Sequence, residues 1–322
     1  MPGSIVYTGR FRRDVEIQTI GSLKLEIVGL LHPKISNEAT SNAAIFGACM
    51  SPLAPSHLRA NPQVEVNLVN VFATVKDDRG NFVTDLSKED FHVYDDDQLQ
   101  DVRVFEKQDK VESSVGLLVD TSGSMVDIIP YARRGVHDFT RALPKNDDFF
   151  LVSFGTTVKL LHTSKQPLKH LEESLAGLRA WGTSSLYDGL LYSMEKIEKS
   201  DHPRKALIAF TDGNDNGSTI RHDRVVQEIQ ESAVLLYFVA IGSAVLVDSH
   251  TLESLSDISG GRTLYVPKHD AIAPVLEEIR TELGRQYYIG YYVPRRAGFH
   301  HIRIEVPGRD VKIRAKTGYS GG

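Results

Sequence analysis

From Val64 the chain alternates. Val64, Val66, Leu68, Val69, Val71, Ala73 and Val75 set apolar positions against polar neighbours, the period-two pattern of a strand. The turn signal Asp77-Asp78-Arg79-Gly80 ends it. A short helical turn is expected at Ser87–Asp90, then two strands, Phe91–Tyr94 and Val102–Phe105, flanking Asp95-Asp96-Asp97. Three acidic residues in a row raise calcium as one reading. The loop has Gln100 rather than Gly at the sixth position from Asp95, so a hairpin turn is preferred.

After Glu112 the period changes. Val115–Val119, Phe149–Phe154, Ala206–Phe210 and Val234–Ile241 are short and wholly or nearly apolar, as strands buried on both faces of a parallel sheet must be. Helical spacing falls between or after them, at Ile128–Leu143, Leu168–Leu178, Leu186–Lys199, Arg221–Ser232 and Ala271–Leu283. From Gln286 strands return, at Tyr287–Val293, His301–Val306 and Val311–Lys316. The predicted fold class is α/β: a doubly wound, mostly parallel, Rossmann-like sheet with a flanking β-rich domain built from N- and C-terminal strands. The expected divisions are a leader at 1–60, a β-rich flank at 61–112, the α/β domain at 113–285, and strands at 286–322 that pair with the first flank. Each flank alone offers too few strands for an independent core.

Residues 1–60 are the least legible. Leu23–Leu31 alternates weakly, and Pro33, Asn37, Ser41, Pro52 and Pro55 punctuate a loop-like stretch. Arg10, Arg12 and Arg13 are followed by Asp14 and Glu16 rather than by an apolar run, and Ala43–Met50 is short and lacks a basic flank. Phe46-Gly47-Ala48-Cys49 faintly resembles a lipoprotein cleavage box, but a thiol in a loosely ordered leader is the preferred reading. No clear export signal is read here, and no run approaches the roughly 18 apolar residues of a membrane helix.

Charge and cysteine content narrow the field. With 37 basic against 42 acidic side chains the net charge is −5, which argues against general nucleic-acid binding. The single cysteine, Cys49, excludes an intramolecular disulfide, a Cys-based zinc site and a CxxC redox pair.

The candidate chemistry sits at strand ends. Val115–Val119 runs into Asp120-Thr121-Ser122-Gly123-Ser124-Met125, and Ala206–Phe210 into Thr211-Asp212-Gly213. The carboxyl ends of strands form the ligand crevice of an open α/β sheet. A carboxylate followed by two alternating hydroxyls offers three oxygen ligands from one loop, which suits a hard divalent cation. Trp181-Gly182-Thr183-Ser184-Ser185, just before a helix, adds further hydroxyls. Taken singly, Asp120 and Ser122 are also good helix caps, and Thr-Asp-Gly is a common turn. The three loops together favour a site. Tyr287, Tyr288, Tyr291 and Tyr292 read as aromatics packing across strands, and His300-His301 as solvated strand residues. Phosphate-loop, Gly-x-Ser-x-Gly and HExxH motifs do not fit.

This pattern, Asp-x-Ser-x-Ser after one apolar strand, Gly-Thr some distance on and Thr-Asp-Gly after another, resembles the von Willebrand factor A domain with its metal-ion-dependent adhesion site. The chain is most similar to the bacterial group of VWFA-related domain proteins, over about 63–319. The resemblance rests also on Asn81-Phe82-Val83-Thr84-Asp85-Leu86, Asp90-Phe91-His92-Val93-Tyr94, Leu186-Tyr187-Asp188-Gly189, Gln286–Tyr292 and Lys316-Thr317-Gly318-Tyr319. It implies a metal held directly by Ser122 and Ser124 and through water or hydroxyls by Asp120 and Asp212. Matching Gly182-Thr183 puts Thr183 on the remaining ligand position, whereas counting back from Leu186 puts Ser184 there; the first match is preferred. The implied cofactor is Mg²⁺, with Mn²⁺ or Ca²⁺ as alternatives. The implied function is metal-dependent binding of a protein ligand that presents Glu or Asp, and no catalysis. A Mg²⁺-dependent phosphohydrolase using Asp120, or a scaffold whose metal is purely structural, is the alternative. The resemblance also suggests an extracytoplasmic location, secreted or periplasmic.

Overall fold

The computed structural model describes residues 66–107, 111–241, 247–266 and 272–321. The expected leader at 1–60 lies outside these residues.

The four apolar runs become strands β5 (Ser113–Asp120), β6 (Asp148–Phe154), β8 (Arg204–Thr211) and β9 (Leu235–Ile241). Two strands that the apolar pattern did not reveal extend the sheet, β7 (Lys159–Thr163) and β10 (Arg262–Val266). The order is β10-β9-β8-β5-β6-β7, and only the edge strand β7 runs antiparallel to its neighbour. Among the described residues six helices pack on it: α1 (Ile129–Ala142), α2 (Leu168–Gly177), α3 (Leu186–Ile197), α4 (His222–Glu231), α5 (Ser249–Ser259) and α6 (Ile272–Leu283). Side chains alternate across each strand. Val115, Leu117 and Val119 join α1, α2 and α6 in one core, while Leu118, between them, joins α3, α4 and α5 in the other. Two buried faces per strand explain why the runs are so nearly free of polar positions, Ser153 being the exception.

The remaining strands are antiparallel. β1 (Val66–Asp77), β4 (Val102–Lys107), β11 (Tyr287–Pro294) and β13 (Val311–Arg314) form one sheet, in the order β13-β1-β11-β4. β2 (His92–Asp95), β3 (Gln98–Gln100), β12 (Gly298–Glu305) and β14 (Gly318–Gly321) form the other, in the order β14-β12-β2-β3. In each sheet, strands from residues 66–107 pair with strands from 287–321. A third core lies between them, with Val69, Val71, Ala73 and Val75 of β1 facing Phe91, Val93 and Ile302, and Tyr287, Ile289 and Tyr291 beside them. Phe72 points the other way, stacks on Tyr288 at 4.9 Å and enters the core of the α/β layer. Tyr287 and Tyr291 are fully buried. The Tyr287 hydroxyl donates to the Val83 carbonyl at 3.0 Å and accepts from the Leu86 amide at 3.1 Å.

Asp95-Asp96-Asp97 makes the turn between β2 and β3. Asp96 and Asp97 both have positive φ (48° and 63°), a conformation that Asp tolerates better than most residues and that a two-residue hairpin requires. His300 corrects an expectation: it is buried, and its Nδ1 lies 2.7 Å from Asp96 Oδ2, whereas His301 is exposed. Asp95, Asp96 and His300 bring potential ligand atoms within 4.8 Å of one another. The Arg296 guanidinium already bridges both carboxylates, and the Tyr291 and Tyr319 hydroxyls donate to Asp95. The cluster therefore contains its own cation.

Two buried charged residues, Glu282 and Lys316, tie strand segments to helices. Glu282 of α6, fully buried, receives the Tyr237 hydroxyl at 2.8 Å and the guanidinium groups of Arg262 and Arg314. Lys316 is 8% exposed and donates to the Gln230 and Ser232 carbonyls at the end of α4. Burial lowers its pKa from 10.5 to about 8. Among the described residues no helix is long and apolar enough to cross a membrane.

Candidate metal centre

β5 lies between β6 and β8, with Val119 opposite Phe210. The carboxyl ends of β5 and β8, and the loops that leave them, are therefore neighbours. Asp120, the last residue of β5, is fully buried. Its Oδ1 accepts the Ser122 amide at 2.8 Å. Its Oδ2 accepts Ser184 Oγ at 3.0 Å and Thr211 Oγ1 at 2.8 Å. Ser122, also buried, places its Oγ 3.1 Å from Ser124 Oγ, and Ser124 is exposed. Asp212 is 8% exposed and its Oδ1 accepts the Asn214 amide at 3.1 Å.

The loops are fastened by backbone bonds. The Trp181 amide donates to the Thr121 carbonyl at 2.8 Å and the Gly123 amide to the Gly182 carbonyl at 3.1 Å. Gly182 has φ +76°, and a Cβ there would lie 2.2 Å from Thr156 Oγ1, so the second loop needs glycine twice over. The third loop is joined to the second at Ser184. Its amide donates to Asn216 Oδ1 at 2.9 Å, and its carbonyl accepts the Asn216 and Gly217 amides. Asp215 and Ser218 accept the Tyr187 and Asp188 amides at the start of α3, satisfying donors that a helix leaves open.

Ser122, Ser184 and Asp212 are thus brought around Asp120, with Ser124 one contact further out. Thr183 is not brought to it. Thr183 is exposed, its amide donates to Thr156 Oγ1 at 3.3 Å and its hydroxyl also faces Thr156. Thr211 and Asn216 are the residues sequence reasoning did not assign. Thr211 carried a signal, since it is the last residue of a strand paired with β5; Asn216 carried none.

The electrostatics are those of an unneutralised pair. Burial raises the Asp120 pKa, the Ser122 and Thr211 hydrogen bonds oppose the rise, and the Asp212 charge adds to it. Neither carboxylate has a Lys, Arg or His partner among the described residues. Buried charge of one sign is costly unless compensated. An all-oxygen donor set with two uncompensated carboxylates fits a hard divalent cation.

The sequence profile of the von Willebrand factor type A domain matches residues 114–280, just over half of the chain. The protein belongs to this family. A von Willebrand factor type A protein from Catenulispora acidiphila aligns with TM-score 0.50 at 12% identity, over 80% of this chain and 72% of its own. That likeness supports the fold alone. The conserved hypothetical protein BatB from Bacteroides thetaiotaomicron aligns with TM-score 0.43 at 12% identity, over 53% of this chain and 98% of its own. No curated protein matches the chain. The family match covers the sheet, the three loops and most of α6, and stops short of the strands at 287–321.

Proposed function

We propose that the chain is a metal-dependent protein-binding module in which Asp120, Ser122, Ser124, Ser184 and Asp212 hold a divalent cation, Mg²⁺ foremost, and a partner's Glu or Asp carboxylate completes its coordination. The observation that carries this reading is the convergence of three oxygen-bearing loops on two buried carboxylates that, among the described residues, lack a cationic partner. Mg²⁺ prefers about six oxygens in near-octahedral array. Neutral serine hydroxyls as direct ligands leave the ion with positive charge to attract a further anion. Ser184 is favoured over Thr183 as the second-loop ligand because its hydroxyl reaches Asp120.

Phosphohydrolysis through Asp120 is less well supported. A nucleophilic carboxylate must present a free oxygen to its substrate, and both oxygens of Asp120 accept hydrogen bonds in a fully buried position.

The test is capture of a partner on the immobilised chain in Mg²⁺ and in chelator, followed by replacement of the partner's contacting acid with its amide. Loss in chelator and weaker binding of the amide are expected. Equal affinity for acid and amide overturns the carboxylate mechanism, and capture unchanged in chelator points to a structural ion instead.

A further inference from the structure

A second cleft adjoins the candidate centre. Its volume is about 440 Å³, and its walls include Thr121, Thr156, Lys159, Leu178, Arg179 and Trp181. Thr121 sits between Asp120 and Ser122. The Thr121 hydroxyl donates to the Phe154 carbonyl at 2.9 Å, and Thr121 faces this cleft while its two neighbours face Ser184 and Ser124. Trp181 is 65% exposed at the rim, one residue before Gly182. The cleft and the centre therefore share the first and second loops as a common wall.

The charges are one-sided. Lys159 and Arg179 are the charged residues of the lining, in a chain whose net charge is −5. Arg133 of α1 and Arg179 both donate to the Leu178 carbonyl, so two guanidinium groups meet on one oxygen. Among the described residues, no carboxylate pairs with Arg133, Lys159 or Arg179. Like charges held together without a counter-charge favour an anion that joins them. An exposed tryptophan beside them supplies the aromatic anchor typical of binding hot spots.

We propose that this cleft binds a second acidic side chain of the same protein partner, so that the ligand is an extended acidic segment with one carboxylate at the centre and another between Lys159 and Arg179. Thr121 lines the cleft while Asp120 and Ser122 beside it belong to the centre, so an extended segment lying across this shared wall faces both sites. This extends the proposed function and rests on it for the first carboxylate only; the second contact needs no metal.

The probe is a fluorescein-labelled Glu-Ser repeat peptide, titrated against the full chain in Mg²⁺ and in chelator. Binding is followed by anisotropy and by the emission of Trp181, the single tryptophan. K159E/R179Q is compared with the wild type. Both positions are exposed, and Gln can still donate to the carbonyls that Arg179 caps. The double variant is expected to bind about tenfold more weakly in both buffers, a loss that grows at low salt. The Trp181 emission change should disappear with it. Affinity within about twofold of the wild type in both buffers overturns the proposal. So does displacement of the peptide by equimolar inorganic phosphate, which would make the cleft a small-anion site. If chelator changes nothing while K159E/R179Q weakens binding, the cleft stands and the metal reading falls. K159E alone, which leaves the Arg179 cap intact, should give the same direction with a smaller loss.

Discussion

Ser184 Oγ donates to Asp120 Oδ2 at 3.0 Å, joining two loops that are 64 residues apart in sequence. One position earlier, Thr183 turns to Thr156 instead. If a cation occupies this place, the two hydroxyls have unequal roles. Mg²⁺ or Mn²⁺ should raise the melting temperature of the full chain, because a ligand specific to the native state stabilises it by about 2.7 kcal/mol at a hundred times its Kd. Ser184→Ala is expected to lose most of that shift and Thr183→Ala to keep it. Thermal melts with and without Mg²⁺ check both. A larger loss in Thr183→Ala would restore the Gly-Thr match.

Asp120 should change the sign of its contribution with metal. Its pKa is raised in the folded state, chiefly by burial. A carboxylate with a raised native pKa contributes most below its unfolded pKa, and that stability is lost as pH rises through the native one. At neutral pH in chelator, Asp120→Asn should therefore be as stable as the wild type or more so. In millimolar Mg²⁺ the order should invert, since the amide cannot neutralise the ion. Paired denaturation curves in the two buffers read this, and the same order in both would count against a cation at Asp120.

Lys316 should set a slope in alkaline stability. Its native pKa is about 8, lowered from 10.5 by burial. Below about pH 8 both states are protonated and the folded state carries the full cost; that cost is relieved as pH rises toward 10.5. Lys316→Met removes the titration. The stability of the wild type relative to the variant should thus increase between those values, by at most on the order of 3 kcal/mol. Urea denaturation at several pH values measures it, and a flat difference would mean that the ammonium is better solvated than its burial implies.

β11 lies between β1 and β4, so the C-terminal strands hold the N-terminal ones. Deleting 286–322 should open residues 66–107 to limited proteolysis while the α/β core is cut more slowly. Tyr287→Phe is the milder test. It leaves the Val83 carbonyl and Leu86 amide without their partner, at a cost of about 1–3 kcal/mol. Protection of 66–107 in the truncated chain would show that these strands stand without β11.

The sequence alone carried the central sheet, because strands buried on two faces must be largely apolar, and the central stretches of β5, β6, β8 and β9 are. It carried the position of Asp120 and Asp212 for the same reason, as the first acidic residues beyond two such runs. What it left out was weakly patterned. β7 and β10 are edge strands in which polar residues, Lys159, His162 and Thr163 in one and Arg262 and Thr263 in the other, leave no continuous apolar run. α5 reads Ser-His-Thr-Leu-Glu-Ser-Leu-Ser-Asp-Ile-Ser and buries its apolar face through Leu252 and Leu255. Tertiary structure decided the rest. His300 is buried because Asp96, 204 residues earlier, and the Tyr319 ring lie against it, and no local pattern records that. Ser184 rather than Thr183 meets Asp120 because Asn216, 32 residues on, grips the Ser184 backbone, and Gly182 leaves room for Thr156 on the other side. A loop's register is set by partners across space, and spacing along the chain cannot supply them.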